Sequence, residues 1–153
     1  MFERILSLFS GNSGFHTELP AADARTALGA LMVRAAKADK AYLFEEVEQI
    51  DAVLAKLYKL NPVQAAKMRA QCELLEEEMP QTDTLAGILH DAISEEDRLA
   101  AVSALWSVVF ADGVEHEEED ELLHAVEAAL GVTPEDAMRL HDEEMAKRPS
   151  KRA

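Results

Sequence analysis

Asp39 and Asp112 stand 73 positions apart, and in that register the chain repeats its own pattern. Ala38-Asp39 falls on Ala111-Asp112, Glu45-Glu46 on Glu118-Glu119, Ile50 on Leu123, Ala52-Val53 on Ala125-Val126 and Leu57 on Leu130. One residue out of that register, the Asn61-Pro62 dipeptide falls on Thr133-Pro134. A chain that repeats a helix, an Ala-Asp turn, an acid-started helix and a capped third helix must be built from two copies of one supersecondary unit. Apolar residues recur at three- and four-residue spacing throughout, and strand-like alternation is missing, so every unit reads as helical.

The expected fold is therefore all-α: a single-domain bundle of about seven helices with an internal helix-turn-helix duplication, plus a short N-terminal helix. At 153 residues one core suffices. Residues 1–19 divide into an apolar helix over 2–9 and a turn-rich linker, residues 20–146 form the bundle, and residues 147–153 form a basic tail. Leu28, Leu31, Met32 and Ala35 mark the stripe of the first bundle helix, which is expected to begin near Pro20. The next runs from about Leu43 to Tyr58, the third from Pro62 to near Met79, and a short one lies on Leu85, Ile88, Leu89 and Ile93. Ser94 caps a helix opening with Glu95-Glu96-Asp97, acids suited to the positive end of its dipole. Its run of Leu99, Val102, Leu105, Trp106, Val109 and Phe110 predicts the central, most buried helix.

Thirty Asp and Glu against fifteen Lys and Arg give a net charge of −15. That sign repels phosphate backbones and disfavours direct nucleic-acid binding. One cysteine, Cys72, excludes a disulfide scaffold and fits a reducing, cytoplasmic compartment. Met1 to Phe9 lacks the features of a signal peptide, and no run is long enough to span a bilayer. This segment has three readings: docking on its own bundle, binding a protein partner or membrane-associated complex, or swapping onto a second copy to make a homodimer. The expected location is the cytoplasm, with the inner-membrane surface as a peripheral site. The charge is concentrated late in the chain, and Asp112 to Glu121 holds seven acids and no base.

A carboxylate at the C-terminal end of a helix opposes the helix dipole, so Asp39 and Asp112 need a compensating role. Each can cap the helix that follows, and the glutamate seven residues on, Glu46 or Glu119, can point back into the same space. Brought together by a pseudo-two-fold axis, these residues would make a four-carboxylate pocket suited to hard cations, Ca²⁺ or Mg²⁺ rather than Zn²⁺ or Fe. An EF-hand is excluded, because Val108 and Phe110 fall at its first and third ligand positions. Any ion must be held by joining the two halves. Lys40, where the second unit has Gly113, predicts a less regular first turn.

The duplicated Ala-Asp-(Gly/Lys)-x-x-x-x-x-Glu turn resembles that of the TerB-like proteins, tellurite-resistance-associated bacterial modules related to a domain in some membrane-anchored J-domain cochaperones. The likeness covers residues 22–145 and is most specific at Ala111-Asp112-Gly113 with Glu119. It implies a helical bundle of about seven helices with pseudo-symmetry and an acidic metal-binding face, carried here by Asp39, Glu46, Asp112 and Glu119. It also implies a binding module tied to tellurite and stress resistance. A scaffold in which the acids only cap helices is the alternative.

Nothing in the chain supplies a catalytic motif, nucleotide loop or organic-cofactor fingerprint, so no enzyme activity is expected. Glu121-Leu122-Leu123-His124 is a single Glu-x-x-His, whereas a di-iron site needs two. His116, Asp120 and His124 recur every four residues and are expected to share one exposed polar face. His16, His90 and His141 are expected to stand alone, Cys72 to pack in the core, and Trp106 to anchor it.

Overall fold

A computed structural model of the chain describes residues 23–79 and 81–147. These form seven helices: α1 (Ala24–Lys37), α2 (Phe44–Tyr58), α3 (Pro62–Glu78), α4 (Thr82–Ala92), α5 (Glu95–Val109), α6 (Glu117–Leu130) and α7 (Pro134–Lys147). A 3₁₀ turn, Phe110–Asp112, follows α5. The helices α1-α2-α3 and α5-α6-α7 are the two units of the duplication, and α4 connects them. Pro20, the apolar segment 2–9 and all of the basic tail but Lys147 lie outside the described residues.

The helix ends follow from local chemistry. Asp23 Oδ1 accepts the Thr26 N–H at 3.0 Å, and Thr26 Oγ1 accepts the Asp23 N–H at 3.2 Å, a reciprocal box that starts α1. Asn61 and Gln64 exchange the same pair of bonds ahead of Pro62. Ser94 and Thr133 each accept one N–H, at 3.2 and 3.1 Å, to start α5 and α7. At the other ends, α2 closes on Lys59 and α6 on Gly131, both left-handed, with φ of 57° and 75°.

The most buried helix is α1, not the α5 that its large apolar residues suggested. Ten of the fourteen residues of α1 are buried, against seven of fifteen in α5. Alanine and glycine make the difference: at Ala27, Gly29, Ala30, Ala35 and Ala36 small side chains let α2, α3, α4, α5 and α6 all approach. Apolar size alone ignores this effect of small residues on helix approach. Gly29 marks the tightest point, since a Cβ there would lie 2.2 Å from Cys72 Sγ on α3. Cys72 is fully buried, and its thiol is pushed up to about 12, chiefly by that burial.

Arg34, near the end of α1, holds the α3–α4 corner. Its guanidinium bonds Glu76 Oε2 at 3.1 Å, the Glu76 carbonyl at 2.8 Å, the Met79 carbonyl and Thr82 Oγ1. Carbonyls left open at the end of α3 thus receive a cationic donor.

Candidate functional site

The two Ala-Asp turns lie side by side where the units meet. In each, the aspartate folds the chain back on itself: Asp39 Oδ1 accepts the Ala41 N–H at 3.0 Å, and Asp112 Oδ1 accepts the Val114 N–H at 2.9 Å. Between acceptor and donor sits a left-handed residue, Lys40 at φ 68° and Gly113 at φ 83°. The lysine therefore adopts the glycine's conformation, and the first turn is as regular as the second. The strain of a left-handed lysine, on the order of 1–2 kcal/mol, is borne rather than avoided.

Each glutamate then reaches back to the start of its own helix. Glu46 Oε1 accepts the Leu43 N–H at 2.8 Å, and Glu119 Oε1 accepts the His116 N–H at 3.2 Å. The glutamates, rather than the aspartates, satisfy the open N–H groups at the helix starts. Both glutamates are fully buried. Their other oxygens, Oε2 in each case, are shielded from solvent and meet no hydrogen-bond donor among the described residues.

All four carboxylates interact. Burial first, then Asp112 and Asp39, push Glu46 up to about 7, against bonds from Leu43 and Glu119. Burial first, then Glu46, Asp39 and Asp112, push Glu119 up to about 9, against the His116 N–H. Like charges gathered in a water-poor space are relieved by keeping a proton, and the two glutamates lie within hydrogen-bond reach of one another. The side chains of Asp39 and Asp112 are 9% and 8% exposed, so the cluster opens to solvent only narrowly.

His116 stands at that opening. Its Nε2 lies 3.2 Å from Asp39 Oδ2 and 3.7 Å from Asp112 Oδ2, so an imidazole from the second unit spans both aspartates. The equivalent residue of the first unit is Leu43, so the arrangement is pseudo-symmetric in its acids and asymmetric in its basic group. Among the described residues, no three His, Cys, Asp or Glu side chains form a ready-made metal-ligating set.

Of the expected His116, Asp120 and His124 stripe, only Asp120 and His124 share a face, toward α5 and α7. His116 turns to the aspartates. Asp120 turns toward Glu115, and its carboxyl is pushed up to about 7, by burial and then by that neighbour. His124 meets the edge of Trp106, with ring centroids 6.4 Å apart. His116 is the N-cap of α6, with an extended backbone at φ −109° and ψ 147°, so its side chain leaves the helical face that Asp120 and His124, four residues apart, share. His141, expected to stand alone, lies edge-on to Trp106 at 4.7 Å and bonds Glu115 and Asp142. Sequence reasoning missed these contacts because Asp39, Glu115 and Trp106 lie on turns and helices other than those that carry His116 and His141. The indole of Trp106 is buried as expected, and its N–H donates to Glu127 Oε2 at 2.9 Å. The ring of His90 meets its neighbour Asp91, and its carbonyl accepts from Arg98.

No curated protein and no solved structure matches the chain. A family model described as tellurite resistance protein TerB matches residues 25–142, which take in both units and all four carboxylates, and the chain belongs to that family.

Proposed function

We propose that this TerB-family protein is a non-enzymatic binding module that holds a divalent cation between its two units, with Asp39, Glu46, Asp112 and Glu119 as ligands. The observation that carries this reading is the buried Glu46–Glu119 pair, whose Oε2 atoms meet no donor among the described residues except a proton the pair itself keeps, beside two aspartates of the same sign. A buried carboxylate oxygen without a donor is costly unless protonated or bound to a cation. Four carboxylates and no thiolate favour Ca²⁺ or Mg²⁺. Binding would need modest side-chain closure, with His116 displaced from the two aspartates. The cation would supply charge neutralisation and a tie between the units, with no organic cofactor. A role in tellurite or stress resistance, in the cytoplasm and through a protein or membrane-associated partner, follows from the family's name and likeness. None of the described helices is long and apolar enough to cross a membrane.

A second reading rests on the other oxygens. Asp39 and Asp112 Oδ1 close turns and Glu46 and Glu119 Oε1 cap helices, so the acids would have a purpose in a scaffold that binds no ion. Calorimetric titration with Ca²⁺, Mg²⁺, Mn²⁺ and Zn²⁺ separates the two. Saturable heat with the native protein, absent from Asp112→Asn/Glu119→Gln, is expected. Equal and negligible heats from both proteins would leave the scaffold.

A further inference from the structure

The duplication breaks down at its third helix. In the first unit α3 packs against both α1 and α2, whereas in the second unit α7 packs on α5 but stands away from α6. The space left between α5, α6 and α7 is a cavity of about 560 Å³. It is unrelated to the four-carboxylate cluster: Glu119 faces Glu46 across the units, while Asp120, one residue on, faces Glu115 and the cavity.

Its walls combine two chemistries. His124 and His141 present imidazole rings, Val132 and Met138 present apolar surface, and the buried Trp106 lies behind them. Glu115, Asp120, Glu127 and Asp142 add four carboxylates, and no lysine or arginine lines the space among the described residues. His141 offsets part of that charge. Burial works against its imidazolium, but its bonds to Asp142 and Glu115 outweigh burial and hold its pKa above the ordinary value. Both of its ring nitrogens, like the Trp106 N–H, are already engaged with carboxylates. Asp120 Oδ1 is shielded from solvent and meets no donor among the described residues. The cavity therefore offers acceptors to a guest that must bring its own donors and positive charge.

We propose that this cavity binds an aliphatic ammonium ion, the charged nitrogen at the carboxylates and the methylene chain along Val132 and Met138. An apolar wall beside carboxylates, with no lysine or arginine among the described lining residues, favours an organic cation over a neutral or anionic guest. A bare metal ion would leave the apolar wall unused. The ammonium can come from a free diamine or from a lysine side chain.

Trp106 is the only tryptophan, so its emission reports on the cavity directly. The test titrates the full chain, in chelator and at physiological salt, with putrescine, with Nα-acetyl-lysine methylamide and with neutral 1,4-butanediol. A saturable emission change is expected with at least one ammonium compound and not with the diol. A stronger response to putrescine assigns the cavity to a free diamine, and an equal or stronger response to the capped lysine assigns it to a side chain. Glu115→Gln/Asp142→Asn should weaken binding roughly tenfold. Met138→Lys, which places a tethered ammonium at the rim, should abolish the response even if the double variant folds poorly. Glu77→Gln/Glu78→Gln removes the same charge from exposed positions on α3 and should leave binding unchanged. No saturable change with either ammonium, an equal response to the diol, or equal weakening by the distant pair would overturn the proposal.

Discussion

His116 Nε2 lies 3.2 Å from Asp39 Oδ2, a contact that crosses from the second unit of the duplication to the first. It puts the basic group nearest the four-carboxylate cluster at the opening, where the proposed cation would be attracted. His116→Leu copies the residue that the first unit has at this position. In chelator the variant should lose about 0.5–1 kcal/mol, because a partly exposed contact is screened by solvent. The loss should vanish at saturating Ca²⁺, where the ion neutralises the aspartates instead. Thermal melts with and without the ion measure both.

The glutamates fix the sign of a pH effect. Folding raises both carboxyls from 4.5, Glu46 to about 7 and Glu119 to about 9. A raised carboxyl binds more protons folded than unfolded, so its stabilising contribution is complete below about 4.5 and is lost as pH rises through the folded value. In chelator the melting temperature should therefore fall between pH 6 and pH 9 on the order of several degrees. Glu46→Gln/Glu119→Gln should flatten that fall. A native melting temperature that holds steady or climbs across this range would show that the pair is not carrying a proton.

Lys40 and Lys59 stand left-handed where the second unit has Gly113 and Gly131. Replacing either lysine with glycine relieves backbone strain but gives the unfolded chain more freedom, so the net gain should be about 0.5–1 kcal/mol each. The reverse change, Gly131→Ala, should destabilise by about 1 kcal/mol, although nothing crowds its side. Denaturant unfolding of the three variants checks the signs.

Gly29 and Cys72 meet too closely for any Cβ at residue 29. Gly29→Ala should cost about 1–3 kcal/mol by forcing α1 from α3. In the native protein Cys72 should resist thiol reagents, being buried and held in the thiol form. Labelling should follow global unfolding and become faster in Gly29→Ala.

The helices were legible in the sequence wherever a cap and an apolar stripe coincide, as at Asn61-Pro62 and Ser94. The duplication placed Asp39 beside Asp112 and Glu46 beside Glu119, because a repeated unit packs against its copy in a repeated way. Two things were hidden. The burial of α1 depends on alanines and Gly29, whose small size matters only once neighbouring helices have closed on them. The contacts of His116 and His141 depend on residues from other helices, and spacing along α6 or α7 gives no sign of them. Lys40 misled for a related reason: a left-handed turn favours glycine but is set by the Asp39 hydrogen bond, which the lysine does not prevent.

The proposed site requires both units to hold the cation. Calorimetric titration of Ca²⁺ and Mg²⁺ into the native protein, into Asp39→Asn and into Asp112→Asn tests it most directly. One ion per chain is expected for the native protein, with binding weakened at least about tenfold by either substitution, since each removes a charged ligand. Full binding in one single variant, or two independent ions in the native protein, would contradict a site shared between the units.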